Sequence, residues 1–172
     1  MLQGTMNRAL WVAILATLIV HMDMSEPRRP ILTGEGAELH ATAILRVAEA
    51  TNIDPILLIA VAWEESRFAS MRVSVAGACG PLQVKPEFVP EYRRWTCARM
   101  IGTIAQDGPE IGYLIGALAL VRWEMFCDTD PLTCYNGGTD PGRAAKQYAA
   151  RVHKTESHLR AMAARLWHLW GN

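Results

Sequence analysis

The stretch that most limits what this chain can fold into is residues 55–63, PILLIAVAW, where every side chain is apolar. Asp54 before Pro55 is a helix start: the carboxylate caps free N–H groups and the proline fits the first turn. A helix that is apolar on nearly every face cannot lie on a surface, so this one belongs at the centre of a helical domain. It ends in Glu64-Glu65-Ser66. Two adjacent acids there read, on their own, as the solvated end of a helix. A carboxyl held against apolar walls such as Trp63 and Phe68 is the other reading, because burial raises its pKa and makes it a proton donor.

The remaining patterns are helical too. Leu39, Ala43, Val47 and Ala50 recur at steps of three and four within residues 34–51, with Glu35, Glu38 and Arg46 between them, which predicts an amphipathic helix. Pro109 opens a second core helix with a stripe of Ile111, Leu114, Ile115, Leu118, Val121, Arg122 and Met125. A third stripe, Ala145, Tyr148, Ala149, Val152, Leu159, Met162, Ala163, Leu166 and Trp170, runs almost to the last residue. Residues 73–81 hold enough Gly, Ser and Pro for a loop or a short hairpin, residues 85–108 predict short helices and turns, and residues 127–142 read as a loop. No stretch alternates with period two. The expected class is all-α or mainly α, with at most a small β-hairpin.

At 172 residues and 51% hydrophobic the chain fits one globular domain able to bury its own core. Seventeen basic residues balance seventeen acidic ones, which gives no argument for a nucleic-acid binder or an acidic tail, and no nucleic-acid partner is expected. The final helix is locally basic: Arg143, Lys146, Arg151, Lys154, Arg160 and Arg165 stand against Glu156 alone. These residues form a solvated face or a contact for an anionic polymer or lipid head groups, with Trp167 and Trp170 as interfacial anchors.

Residues 9–20 follow Arg8 as a twelve-residue apolar run, with Met6 an alternative start. Twelve helical residues span about 18 Å, short of the roughly 30 Å hydrocarbon core, which favours an export signal over a full span. No small-residue cleavage site follows, so a retained membrane anchor stays open, and a helix buried in the core is the third reading. The chain divides accordingly into residues 1–25, signal peptide or anchor, and residues 34–172, the folded domain. Four cysteines all lie beyond the leader, an even number that suits two disulfides in an exported protein. Pairing nearest neighbours joins Cys79 to Cys97 and Cys127 to Cys134. A zinc site is the competitor, but neither Cys-x-x-Cys nor a histidine at finger spacing supports it.

Four motifs appear in order: Glu65-Ser66-Arg67-Phe68; residues 74–84, SVAGACGPLQV; Cys134-Tyr135-Asn136-Gly137-Gly138; and Tyr148-Ala149-Ala150-Arg151-Val152. Together they resemble the soluble lytic transglycosylase (SLT) domain family, of lysozyme-like fold, over about residues 44–152. The resemblance implies that Glu65, rather than Glu64 about 100° round the helix, is the catalytic acid and base. It implies that Ser66 orients the site or meets substrate, that Ser74 and Gln83 hydrogen-bond the sugar and its N-acetyl group, that Tyr135 and Asn136 line the cleft, and that Tyr148 lies close to the catalytic Glu. Pro81-Leu82 stand where the family commonly has Leu-Met, Cys134 where it has Ala, and Gly112 near the place of a frequent Asn.

The implied partner is the glycan strand of peptidoglycan, and the implied setting is the periplasm or cell envelope, with the N-terminal segment as a membrane contact. The implied reaction is cleavage of the MurNAc-GlcNAc β-1,4 bond to a 1,6-anhydromuramoyl end by one carboxyl group. A goose-type-like lysozyme is the alternative. It needs a second acid to activate water, for which Asp107, Asp128, Asp130 and Asp140 are the loop candidates. An inactive glycan-binding scaffold is the third reading. No cofactor or metal is implied, and among the five histidines only His153 stands beside a matched motif.

Overall fold

A computed structural model describes residues 7–25 and 32–171. Its α-helices are α1 (Arg8–Met24), α2 (Gly34–Thr51), α3 (Pro55–Ser66), α4 (Cys97–Asp107), α5 (Glu110–Phe126), α6 (Pro131–Gly137) and α7 (Arg143–Trp170), with 3-10 turns at Pro86–Phe88 and Pro90–Tyr92. The protein is mainly helical, as expected. No hairpin forms between residues 73 and 84: two isolated bridges, Val73 to Cys79 and Cys79 to Val84, are all the pairing there. The tight turn at residues 80–83 allows no longer ladder.

Helix α3 is central, as its composition requires. Asp54 caps it through Ile56 N, and Leu58, Ile59, Ala60, Val61 and Ala62 are all fully buried. Helix α7 lies along it and is tied to both of its ends. Arg160 meets Asp54 at 2.9 Å, while Arg151 Nε and Thr155 Oγ1 meet Glu64 at 3.2 and 3.3 Å. The basic stripe of α7 is thus partly engaged by α3. Glu64 is no solvated helix end, its side chain being only 11% exposed.

The stripe expected on α2 holds at Ala43 and Val47, which are buried, and fails at its two ends. Leu39 is 54% exposed and Ala50 is also exposed, whereas Ala37, His40, Ala41, Ile44, Leu45 and Ala48 are buried. The physical reason is that α2 is covered by more than one neighbour, chiefly α1 and α5 and also α3. Helix α1 lies in the structure as a core helix. Ile14, Leu15, Leu18 and Ile19 are fully buried, Trp11 stacks on Trp167, Arg8 pairs with Glu49, and the buried Asp23 carboxylate accepts from Leu32 N. Trp167 therefore has an intramolecular partner. Among the described residues no helix is long and apolar enough to cross a membrane. Met6 and the polar stretch to Pro30 lie outside the described residues, apart from residues 21–25.

Residues 127–142 are more ordered than a loop. Asp130 accepts from Leu132 N and Pro131 fills the first turn, so α6 starts by the same device as α3. Both nearest-neighbour disulfides are present, Cys79–Cys97 and Cys127–Cys134, with Cα separations of 5.9 and 6.1 Å. One ties the loop after α3 to the start of α4. The other ties α6 to the end of α5.

Candidate active site

The chain reverses directly after Glu65. Arg67 and Phe68 both have positive φ, 55° and 61°, an uncommon conformation for a bulky residue and one that concentrates at functional sites. Two contacts hold the reversal: the Arg67 guanidinium lies 4.3 Å from the Trp63 ring centre, and the Phe68 side chain is buried. The loop that follows is thereby brought back across the end of α3, and Ser66 fastens it there. Ser66 is fully buried, and its hydroxyl donates to Pro81 O at 2.7 Å, so it meets the loop rather than the cleft.

Helix α5 provides the seat for that loop. A Cβ on Gly112 would stand 2.6 Å from Pro81 Cδ, and one on Gly116 would stand 2.6 Å from Leu82 Cβ. Only bare backbone lets Pro81 and Leu82 sit so close. The sequence difference at residues 81–82 and the glycine at 112 are thus two sides of one contact.

The cleft so formed has a volume of about 730 Å³. Glu65, Ser74, Gln83, Tyr135 and Asn136 all line it, so five of the expected site residues converge. Burial pushes the Glu65 carboxyl up to about 7, the neighbouring Glu64 charge adds to this, and Tyr148, Arg72 and Arg151 work against it. Such a group holds its proton at neutral pH and can give it to a bridging oxygen. The Tyr148 hydroxyl is buried beside it without a hydrogen bond of ordinary geometry. Burial and Glu65 raise its pKa further above the usual phenol value.

Two cleft side chains have one hydrogen-bonding role left each. Ser74 Oγ accepts from Ala78 N at 3.0 Å, closing its turn, so its O–H remains to donate. Gln83 spends its amide hydrogens on Arg72 O and Gly80 O, at 3.1 and 2.9 Å, so its Oε1 remains to accept. Tyr135 is spent on the fold: its hydroxyl donates to Leu82 O at 2.6 Å, leaving the ring as wall.

Among the described residues Glu65 is the one acid lining the cleft. Asp107, Asp128, Asp130 and Asp140 do not line it, and Asp130 is engaged in capping α6 and pairing with His153 at 2.8 Å. The sequence reading missed Arg72, Lys85, Phe88, Arg122 and Trp123, which also form the wall. Arg72 stands beyond the reversal, and its guanidinium donates to Glu65 O at 3.0 Å. No motif marks these residues, because only the fold brings them together.

Among the described residues no cluster of His, Cys, Asp or Glu is arranged to hold a metal ion. The model of the transglycosylase SLT domain family matches residues 42–159, more than two thirds of the chain. No curated protein and no solved structure matches it.

Proposed function

The chain belongs to the transglycosylase SLT domain family, and from that premise we propose that it is a peptidoglycan lytic transglycosylase with Glu65 as its single acid and base. The observation that carries the reading is one carboxyl group, raised to about 7 and, among the described residues, alone with cations and neutral groups on the cleft wall. Glu65 gives its proton to the bridging oxygen as the MurNAc C1–O bond breaks. Its carboxylate then takes the proton of the muramoyl C6 hydroxyl, whose oxygen bonds to C1. Water is neither consumed nor released, and Glu65 ends as it began.

The side chains around it fit a sugar carrying an acetamido group. That group presents one acceptor, its C=O, and one donor, its N–H. Ser74 keeps a donor and Gln83 keeps an acceptor, a complementary pair on the same cleft. Tyr135 and Asn136 line the same cleft. Ser66 holds the loop that carries Gln83, and Tyr148 supplies a buried dipole beside the carboxyl. Residues 1–25 direct export to the cell envelope, as signal or anchor, ahead of the catalytic domain at 34–172. The seat of α1 against α2 and α7 favours the third reading, a helix kept in the core of the folded domain, and the mass of the mature N-terminus tests whether it is kept.

Incubation with purified peptidoglycan, followed by mass analysis of the ends, tests the reaction. Anhydromuramoyl ends are expected, and Glu65→Gln should abolish them in a protein that melts as the parent does or higher. Reducing muramic ends alone would mean a lysozyme, and no cleavage by the folded protein would leave the scaffold reading.

A further inference from the structure

The cleft wall carries three cations, Arg72, Lys85 and Arg122, and none forms an ion pair with an acid among the described residues. Arg151 and Arg160 of α7, which face α3, find carboxylates, whereas these three line the cleft without one. Arg72 is committed to the Glu65 carbonyl. Lys85 and Arg122 are held differently. Lys85 Nζ lies 5.7 Å from the Phe88 ring centre, and the Arg122 guanidinium lies 5.1 Å from that of Phe126. Both rings are open to solvent, at 69% and 65% exposure. Each cation is therefore steadied over an aromatic face, which costs it little hydration and leaves its N–H donors free.

Neutral sugars can accept hydrogen bonds from these donors but gain no charge-assisted bond from them. A ligand with carboxylates and short aliphatic parts does. We propose that Lys85 and Arg122, with Phe88 and Phe126, form a subsite for the carboxylates of the peptides hung from the glycan strand, so that peptide-bearing strands bind in preference to bare ones. This rests on the glycan reading of the cleft. Stripping the peptides leaves a lactyl carboxylate on each muramoyl residue, so the bare strand is a second carboxylate source, and the experiment has to separate the two.

The test uses the full chain carrying Glu65→Gln, so that ligands stay uncut. Affinity is measured for three soluble oligosaccharides of equal length: peptide-bearing strands, the same strands stripped by an amidase, and chitooligosaccharide, which has no carboxylate. Two exposed charge pairs predict about tenfold tighter binding of the peptide-bearing form than of chitooligosaccharide. The stripped form should lie close to chitooligosaccharide. The preference should shrink in 0.5 M salt, and it should vanish in the added K85M/R122Q pair. The salt arm stands alone if that pair fails to fold. Equal affinity for all three ligands overturns the subsite while leaving the glycan reading intact. So does a preference that survives both salt and substitution. Equal, tight binding of stripped and peptide-bearing strands assigns the charge to the lactyl group and overturns the peptide assignment. No binding of any of the three overturns the glycan reading and the subsite with it.

Discussion

Replacing Gly116 by alanine drives a methyl group into Leu82. The new Cβ would stand 2.6 Å from Leu82 Cβ and 3.0 Å from its Cγ, closer than carbons approach without displacement. Leu82 has nowhere to go. It is fully buried, its carbonyl accepts from Tyr135, and the preceding carbonyl accepts from Ser66. In an open helical position glycine to alanine gains about 0.5–1 kcal/mol from reduced backbone freedom. Overpacking a filled core costs about 1–3 kcal/mol. The net expectation for Gly116→Ala is a loss of up to about 2 kcal/mol, or up to about 8 °C in Tm for a chain of this size. Gly102 on α4 is the control, since a Cβ there meets nothing within 4 Å; Gly102→Ala should gain about 0.5–1 kcal/mol. Thermal melts give both values. Turbidity clearing of peptidoglycan well below either Tm should show Gly116→Ala slowed at least about tenfold, because the displaced loop carries Gln83 and meets Tyr135. A Gly116→Ala protein as stable and active as the parent would refute the seat, and so would an equal loss in Gly102→Ala.

Three further outcomes follow from other parts of the molecule. Cleavage should fall by about tenfold for each pH unit above 7, as Glu65 loses the proton it must donate, and a rate that is flat from pH 6 to 9 would remove Glu65 from that role. Two buried groups should cancel in the pH dependence of stability. Burial raises Glu65 from 4.5 to about 7, so the folded state gains stability as pH falls through that window, whereas His40 is lowered from 6.5 to about 4 and loses stability as pH falls through its own. Each swing is at most about 3 kcal/mol. Denaturant titrations should find His40→Gln stabilised by acid and Glu65→Gln destabilised by it; parallel curves for the two would sink the assignment. Reduction should lower Tm, with roughly 3 kcal/mol from the loop of 18 residues closed by Cys79–Cys97 and roughly 2 from the loop of 7 closed by Cys127–Cys134. Activity should fall with the second bond in particular, since it holds the helix bearing Tyr135, and Cys127→Ser/Cys134→Ser tests that separately.

What could be read from the sequence were features whose cause is local or uniform. An all-apolar helix after Asp54-Pro55 has one place to go, and cysteines seven and eighteen residues apart pair most readily with each other. The same capping signal at Asp130-Pro131 was hidden among Gly and Asp residues, because turn formers and cap formers are the same residue types. Leu39 and Ala50 misled because a stripe fixes the buried face only when a helix has one neighbour, and α2 packs against α1, α5 and α3. Gln83 lies on the cleft as its motif suggests, but which end of its amide faces a ligand depends on Arg72 O and Gly80 O, and backbone carbonyls leave no trace in sequence. Arg72, Lys85 and Arg122 come from separate elements, and three cations scattered over fifty residues carry no pattern until folding sets them on one wall.

The pairing of Trp11 with Trp167 links the first helix to the last turns of α7, and both residues lie outside the span shared with the family. During synthesis the one exists long before the other. Until α7 is made, the apolar side of α1 lacks the part of its cover that α7 supplies and is open to any other apolar environment the growing chain meets. Completion of α7 withdraws that side from competition. Docking of the first helix on the domain thus depends in part on a side chain near the far end of α7.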